Sequence, residues 1–143
     1  MDINENSKEF FGSCHCGNVR FQCKLETELL KSETLRCNCS YCLKTRFWEI
    51  IVCPKDFKVL KGENDQENYL YGSKINDNYF CKACGVNTYT LVKMEGVPNA
   101  PFYAVNVNTI EGITHEQLSK LKVTFLDGAT DNWQNEPIYH NHI

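Results

Sequence analysis

The spacing of the cysteines constrains this chain more than any other feature of its sequence. Nine cysteines occur in 143 residues, and seven of them form three short groups. The groups are Cys14 with Cys16, Cys37 with Cys39 and Cys42, and Cys81 with Cys84. Spacings of C-x-C and C-x2-C allow neighbouring thiolates to converge on one metal ion. Because polar residues surround these cysteines, we interpret them as metal ligands and not as small buried hydrophobic residues.

Two of the groups together supply the four ligands that a closed, structural zinc site needs. Cys14, Cys16, Cys81 and Cys84 would complete a tetrahedron and join the N-terminal part of the chain to its middle. The entropic cost of closing this loop grows slowly with its length, and it is small beside a zinc-binding free energy on the order of 10 kcal/mol. His15 lies between two of these ligands, and we expect it at the surface.

The remaining group, Cys37, Cys39 and Cys42, leaves one position of a tetrahedral metal unassigned. Two alternatives stay open: Cys53 completes a second structural site, or the fourth position accepts water or a substrate atom. We favour the open position, because Cys53 stands well beyond the group and has no neighbouring cysteine. An iron–sulfur cluster also needs a fourth cysteine and is less favoured.

Charge and hydropathy argue against two classes of partner. The formal charge of -3 and the short basic clusters disfavour nucleic acid. The apolar runs are only a few residues long, so no segment is predicted to span a membrane. The first ten residues, MDINENSKEF, lack the basic start and apolar stretch of a signal peptide. We therefore expect a cytoplasmic protein, and we leave its oligomeric state open.

Alternation of apolar and polar residues predicts a mainly β protein. In NVRFQCKLE, for example, Phe21, Cys23 and Leu25 share one face of a half-buried strand, which assigns Cys23 to the core. Similar runs recur along the chain with Gly, Asn, Asp and Pro between them. One short helix is predicted at THEQLSKL, where Thr114 and Gln117 form a capping box. The length corresponds to one domain.

The segments GSCHCGNVRF, RCNCSYC and FCKACG, in this order, resemble the glutathione-dependent formaldehyde-activating enzyme family, which includes centromere protein V. YLYGSK, FYAVNVN and LDGATDNW extend the resemblance, so that it covers residues 11–137. It implies a single-domain, tent-like β fold that binds two zinc ions. A polar segment at 1–10, for which disorder is one alternative, and a tail at 138–143 would flank this domain.

The resemblance also implies roles for the seven cysteines. Residues matching the set Cys14, Cys16, Cys81 and Cys84 hold a structural zinc in the family, and residues matching Cys37, Cys39 and Cys42 hold a catalytic one. The implied activity is of the carbon–sulfur lyase type, in which the thiol of glutathione adds to formaldehyde and gives S-hydroxymethylglutathione. The chain departs from the family pattern at Leu43, where many relatives have Arg, and at the bulky Phe47 and Trp48.

Three thiolates make a zinc ion electron-rich, so that it acidifies water weakly but still lowers the pKa of an incoming thiol. We hypothesise that an external thiol, glutathione or a relative, becomes the fourth ligand and adds reversibly to a small aldehyde. Lys44 and Arg46 are candidates to bind the carboxylates of this thiol. Trp48, with Tyr41 and Phe80, is a candidate for the wall of the pocket. No residue has a spacing that marks it as a general base.

Each of these side chains has a structural alternative, as an exposed charge or as a core aromatic residue. Asn132 and Trp133 could cover the site, although we expect Trp133 to lie in the core. The alternative for the whole chain is a non-catalytic zinc-binding module for protein interaction, in which both metal sites are structural. The number of protein ligands at the second metal separates the two functions.

Overall fold

Short strands with alternating buried and exposed residues make up most of the fold. The structure is a computed structural model and describes residues 2–143. Its strands are β1 (Glu9–Ser13), β2 (Arg20–Lys24), β3 (Glu33–Cys37), β4 (Trp48–Val52), β5 (Phe57–Lys61), β6 (Gln66–Tyr69), β7 (Asp77–Cys81), β8 (Asn87–Val92), β9 (Phe102–Asn106) and β10 (Lys122–Leu126). The predicted mainly β, single-domain fold is confirmed.

The strands form two sheets. β1, β2 and β5 make a three-stranded antiparallel sheet, and the other seven strands make a sheet with the order β10-β3-β4-β9-β8-β7-β6. In the larger sheet β10 runs parallel to β3, and the remaining pairs are antiparallel. The segment that carries the three-cysteine group connects β3 to β4, which lie side by side in this sheet.

The main core contains apolar residues of both sheets. On β2, Phe21 and Cys23 are fully buried while Arg20 and Lys24 are exposed, as the alternation predicts. The buried members of this core are Phe10, Phe21, Cys23, Leu29, Trp48, Ile50, Val52, Tyr89, Val105, Val107, Ile110 and Leu121. The assignment of Cys23 to the core is therefore confirmed. Burial also raises the pKa of its thiol, which keeps it protonated.

Two short α-helices accompany the sheets, together with several single turns of 3-10 helix. α2 (His115–Lys120) begins with the predicted capping box, in which the Thr114 hydroxyl accepts from the Gln117 amide and the Gln117 side chain accepts from the Thr114 amide. α1 (Ser40–Thr45) was not predicted, because its six residues are too few to show a helical period. It ends at Arg46, whose φ of 56° is left-handed.

The segments at both ends of the chain contact the domain. The Ile3 amide donates to the Gly112 carbonyl at 2.7 Å, and at the other end the His140 ring stacks on Phe125 with centroids 4.4 Å apart. The predicted boundaries at residues 1–10, 11–137 and 138–143 stay a prediction, and Met1 lies outside the described residues. Across residues 2–143, none of the helices has the length and apolar character needed to cross a membrane.

Candidate metal centres and the adjoining groove

The first and third cysteine groups meet in one cluster. Cys14 and Cys16 follow β1, Cys81 is the last residue of β7, and Cys84 lies in the turn before β8. Their four Sγ atoms all lie within 4.8 Å of one another, with 3.7 Å from Cys14 to Cys16 and 3.6 Å from Cys16 to Cys81. Zn–S bonds of about 2.3 Å in a tetrahedron require sulfur–sulfur distances of about 3.8 Å. The four residues therefore fit a metal ion of this kind.

Backbone amides support this four-cysteine cluster. The Val19 amide donates to Cys14 Sγ at 3.3 Å, as amides commonly do to metal-bound thiolates. Gly85 follows Cys84 with a φ of +75°, a conformation that glycine adopts without steric cost. Burial opposes ionisation of Cys84, but hydrogen bonds from the amides of Val86 and Cys16 lower its pKa to about 6. His15 is exposed, as expected, and stands outside the cluster.

The second group forms a three-cysteine cluster. Cys37 ends β3, Cys39 precedes α1, and Cys42 lies within α1. The three Sγ atoms lie within 4.8 Å of one another, and within residues 2–143 no fourth Cys, His, Asp or Glu joins them. Cys53 is exposed and belongs to neither cluster. The two clusters could hold metal ions, one with four protein ligands and one with three.

Hydrogen bonds concentrate negative charge on one sulfur of the three-cysteine cluster. Cys39 Sγ accepts from the Cys42 amide at 3.5 Å, and Cys37 Sγ accepts from the Cys39 amide at 3.4 Å. Hydrogen bonds from the thiols of Cys37 and Cys42 lower the pKa of Cys39, while the shared protons raise the pKa of both neighbours. Without metal, the cluster therefore carries a thiolate that two thiols stabilise.

The segment 127–133 packs against the three-cysteine cluster. Asn38, which lies between two cysteines, donates from Nδ2 to the Asp127 carboxylate at 2.8 Å and accepts the Ala129 amide at 2.9 Å. A Cβ placed on Gly128 would lie 2.6 Å from Cys37 Sγ and 2.7 Å from Cη2 of Trp133. Only a residue without a side chain allows the backbone to approach the sulfur this closely.

The expectation that Trp133 lies in the core was wrong. Its side chain is 52% exposed, and its Nε1 donates to the Asp131 carboxylate. The ring lies over Gly128, beside the sulfur of Cys37. Trp133 therefore lies close to the three-cysteine cluster, a position that agrees with the alternative in which it covers the site.

An open groove of about 830 Å³ lies alongside α1. Lys44 and Arg46, predicted to bind a ligand, both line it, and neither is paired with a carboxylate among residues 2–143. Tyr41 and Phe80 also line it, as expected. The other lining residues are Ser40, Thr45, Tyr69, Tyr71, Gly85, Val86, Asn87, Asn106 and Asn108. The groove thus has a cationic rim, aromatic residues and amide side chains.

The expected role of Trp48 in the pocket wall is not supported. Trp48 is 7% exposed and belongs to the main core, where its Nε1 donates to the Thr34 hydroxyl at 2.8 Å. The guanidinium of Arg36 lies over its ring at 4.4 Å. Because Trp48 begins β4 on the same face as Ile50 and Val52, the alternation of that strand buries it.

Sequence reasoning missed Glu49, a partly buried carboxylate near the three-cysteine cluster. It lies on β4 opposite Leu35 on one neighbouring strand and Asn106 on the other. Burial, and secondly the negative charge of Cys39, raise the pKa of Glu49 from 4.5 to about 7. The alternation of β4 indicates only that Glu49 faces away from the core. Whether its side chain is exposed or covered depends on tertiary contacts, which the sequence pattern does not show.

Residues 9–126 match the family described as glutathione-dependent formaldehyde-activating enzyme, abbreviated GFA. The chain belongs to this family. A crystal structure of a Rhodobacter sphaeroides protein is similar to the GFA chain with a TM-score of 0.66 and 27% sequence identity. The similarity covers 80% of this chain and 99% of the Rhodobacter chain. The resemblance drawn from the cysteine segments is thus confirmed.

We predict that the two clusters differ in their importance for folding. Cys81→Ser should lower the melting temperature of the metal-loaded protein by about 10 °C or more, because it breaks the cluster that joins the two sheets. Cys39→Ser should lower the melting temperature much less. Thermal unfolding followed by circular dichroism measures the melting temperatures of both variants, with Cys53→Ser as an exposed control. Equal destabilisation by the two substitutions would contradict this division.

We predict that Gly128→Ala weakens metal binding at the three-cysteine cluster by about tenfold or more. The added methyl group would collide with Cys37 Sγ and the Trp133 ring, and the backbone there is not left-handed, so the contact alone causes the effect. Competition with a chromophoric chelator measures the affinity of the more weakly bound metal. Ala129→Ser, at the exposed neighbouring position, is the control. Unchanged affinity in Gly128→Ala would show that the segment does not constrain Cys37.

We predict that Glu49→Gln reduces the pH dependence of stability. The raised pKa means that, between about pH 4.5 and 7, the native state binds more protons than the unfolded state, so the free energy of unfolding falls as the pH rises. Above this range the variant should be more stable than the wild type by about 1–3 kcal/mol, and near pH 4.5 the two should be equal. Denaturant unfolding across this range tests the prediction, with the exposed Glu67→Gln as control. Parallel curves for wild type and Glu49→Gln would refute it.

Proposed function

We propose that this GFA-family protein is a zinc enzyme of the carbon–sulfur lyase type. In this proposal it adds a thiol, glutathione or a close relative, reversibly to a small aldehyde such as formaldehyde. The observation that carries the proposal is the cluster of Cys37, Cys39 and Cys42, which no fourth ligand residue joins within residues 2–143. The residues between these cysteines in α1, Ser40 and Tyr41, line an open groove. A closed structural site needs four protein ligands, as in the other cluster.

The proposal assigns one zinc ion to each cluster. The four-cysteine cluster would hold a structural ion, because all four positions are filled by the chain and two of its cysteines, Cys14 and Cys81, are buried. The three-cysteine cluster would hold a catalytic ion. Sulfur donors of this number and spacing suit zinc in both places. The assignment makes Cys37, Cys39 and Cys42 both metal ligands and catalytic residues.

Zinc bound to three thiolates would lower the pKa of the incoming thiol, so that the thiol would react as a thiolate near neutral pH. The thiolate sulfur then forms a bond to the carbonyl carbon, the π pair of the C=O bond moves to oxygen, and the proton released by the thiol passes to that oxygen. Because thiols add to formaldehyde without a catalyst, the protein contributes mainly orientation of the two reactants.

The groove supplies this orientation. Lys44 and Arg46 present cations that would bind the carboxylates of a thiol such as glutathione. Arg46 donates from Nη1 to the His142 carbonyl at 2.6 Å, which fixes the position of its guanidinium and leaves other N–H groups for a ligand. Tyr41 and Phe80 would limit the access of water from the side of the groove. We also propose a cytoplasmic location, because nine unpaired cysteines suit a reducing compartment.

Glutathione titration of the cobalt-substituted protein tests the proposal. We expect the thiolate-to-cobalt absorption bands to change at up to millimolar glutathione, because a fourth sulfur enters the coordination of one of the two ions. S-methylglutathione, which has no ionisable thiol, should cause no such change. Cys39→Ser should lose the response while keeping the bands of the four-cysteine site.

Two outcomes would reject the catalytic proposal in its glutathione form. One is an absorption spectrum that stays constant up to millimolar glutathione. The other is an identical response in the Cys39→Ser variant, which would locate the change outside the three-cysteine cluster. A constant spectrum in both proteins would favour a protein-interaction module with two structural metal sites.

A further inference from the structure

Three tyrosines form a stacked cluster on one wall of the groove. The ring centroids of Tyr41 and Tyr71 are 4.9 Å apart, those of Tyr69 and Tyr71 are 5.7 Å apart, and those of Tyr41 and Tyr69 are 6.2 Å apart. The interplanar angles are only 19° to 25°. The cluster therefore presents nearly parallel aromatic faces beside α1.

This tyrosine cluster is separate from the aromatic residues of the core. Tyr89 is buried among Phe57, Tyr79 and Tyr103, where it completes the packing between the sheets. By contrast, Tyr69 is 52% exposed and Tyr71 is 39% exposed. Grouped aromatic residues that remain open to solvent commonly mark a ligand-binding surface. Core packing does not account for this cluster.

The tyrosine cluster begins at the three-cysteine cluster. Tyr41 directly precedes Cys42 in α1. Burial, and secondly the nearby thiolates of Cys39 and Cys42, raise the pKa of Tyr71. The aromatic faces thus begin near the three-cysteine cluster and continue along the groove, where they could meet a group attached to the carbonyl carbon.

Amide side chains line the groove beside these aromatic faces. Asn87 lies there together with Asn106 and Asn108. Nδ2 of Asn106 donates to the Asn87 carbonyl at 2.8 Å, which fixes the Asn106 amide at the groove. The groove therefore offers polar partners to a ligand as well as aromatic faces.

We infer that the groove is built for an aldehyde whose carbonyl carbon carries a planar aromatic group. This inference rests on the proposed function and names the substrate class of its electrophile. Formaldehyde, with two heavy atoms, has no face that could stack on the exposed rings, and glutathione carries no aromatic group, so neither reactant accounts for the tyrosine cluster. An aryl group would stack on Tyr69 and Tyr71, while the carbonyl carbon faces the external thiol held at the three-cysteine cluster.

Stable analogues of the two adducts test this inference by binding alone. S-benzylglutathione carries the aryl group of an aromatic adduct, and S-methylglutathione represents the one-carbon adduct. In calorimetric titrations of the zinc-loaded wild type, we expect S-benzylglutathione to bind about tenfold more tightly. Tyr69→Ala should reduce this advantage to about twofold or less and leave the affinity for S-methylglutathione unchanged. Tyr139→Ala, at a 78% exposed tyrosine outside the groove, should keep the full advantage.

The outcomes separate this inference from the proposed function. Equal affinities for the two analogues in the wild type, or a benzyl advantage that persists in Tyr69→Ala, would overturn the aromatic substrate class and leave glutathione addition intact. Absence of binding by both analogues would also overturn the aromatic substrate class, because stacking on the tyrosines needs no free thiol, and the glutathione titration of the cobalt-substituted protein would still test the proposed function by itself. A melting curve of Tyr69→Ala that matches the wild type establishes that the variant is folded.

Discussion

The convergence of four sulfur atoms between the two sheets is the constraint on which the rest of the structure depends. Cys14 and Cys16 follow a strand of the three-stranded sheet, while Cys81 ends a strand of the seven-stranded sheet. Four thiolates at this spacing would repel one another strongly without a cation. The free energy of structural zinc binding, on the order of 10 kcal/mol, is comparable to the whole stability of a domain of this size. Metal binding and folding are therefore expected to be coupled here.

The three-cysteine cluster is built differently, and the difference supports a different role. Its sulfurs come from one short stretch that runs from the end of β3 into α1. A metal ion there would therefore close only a very short loop and constrain the unfolded chain little. Asn38 ties this stretch to the segment 127–133, which brings Gly128 and Trp133 against Cys37. The surrounding structure thus positions the sulfurs without filling the fourth place from residues 2–143. Such an arrangement suits exchange of an external ligand more than support of the fold.

The sequence predicted the parts of the site that depend on local spacing. Cysteines two or three residues apart can converge on one ion through a local turn, and the Thr114 capping box is a local hydrogen-bond pattern. The expectations of Trp48 in a pocket wall and of Trp133 in the core were wrong because burial depends on tertiary packing. Trp48 shares a strand face with buried neighbours, whereas Trp133 follows the last strand in a polar segment. Glu49 was missed because its neighbours, among them Asn106 on β9 and Cys39, come together around it only in the folded protein.

The central claim is that two metal ions bind, one with four protein sulfurs and one with three. Anomalous diffraction at the zinc absorption edge, from crystals of the protein purified with its metal, tests this most directly. The account predicts two peaks, one bonded to Cys14, Cys16, Cys81 and Cys84, and one bonded to Cys37, Cys39 and Cys42 with a fourth ligand from solvent or an added thiol. A single peak, or a fourth ligand from the chain at the second ion, would contradict it.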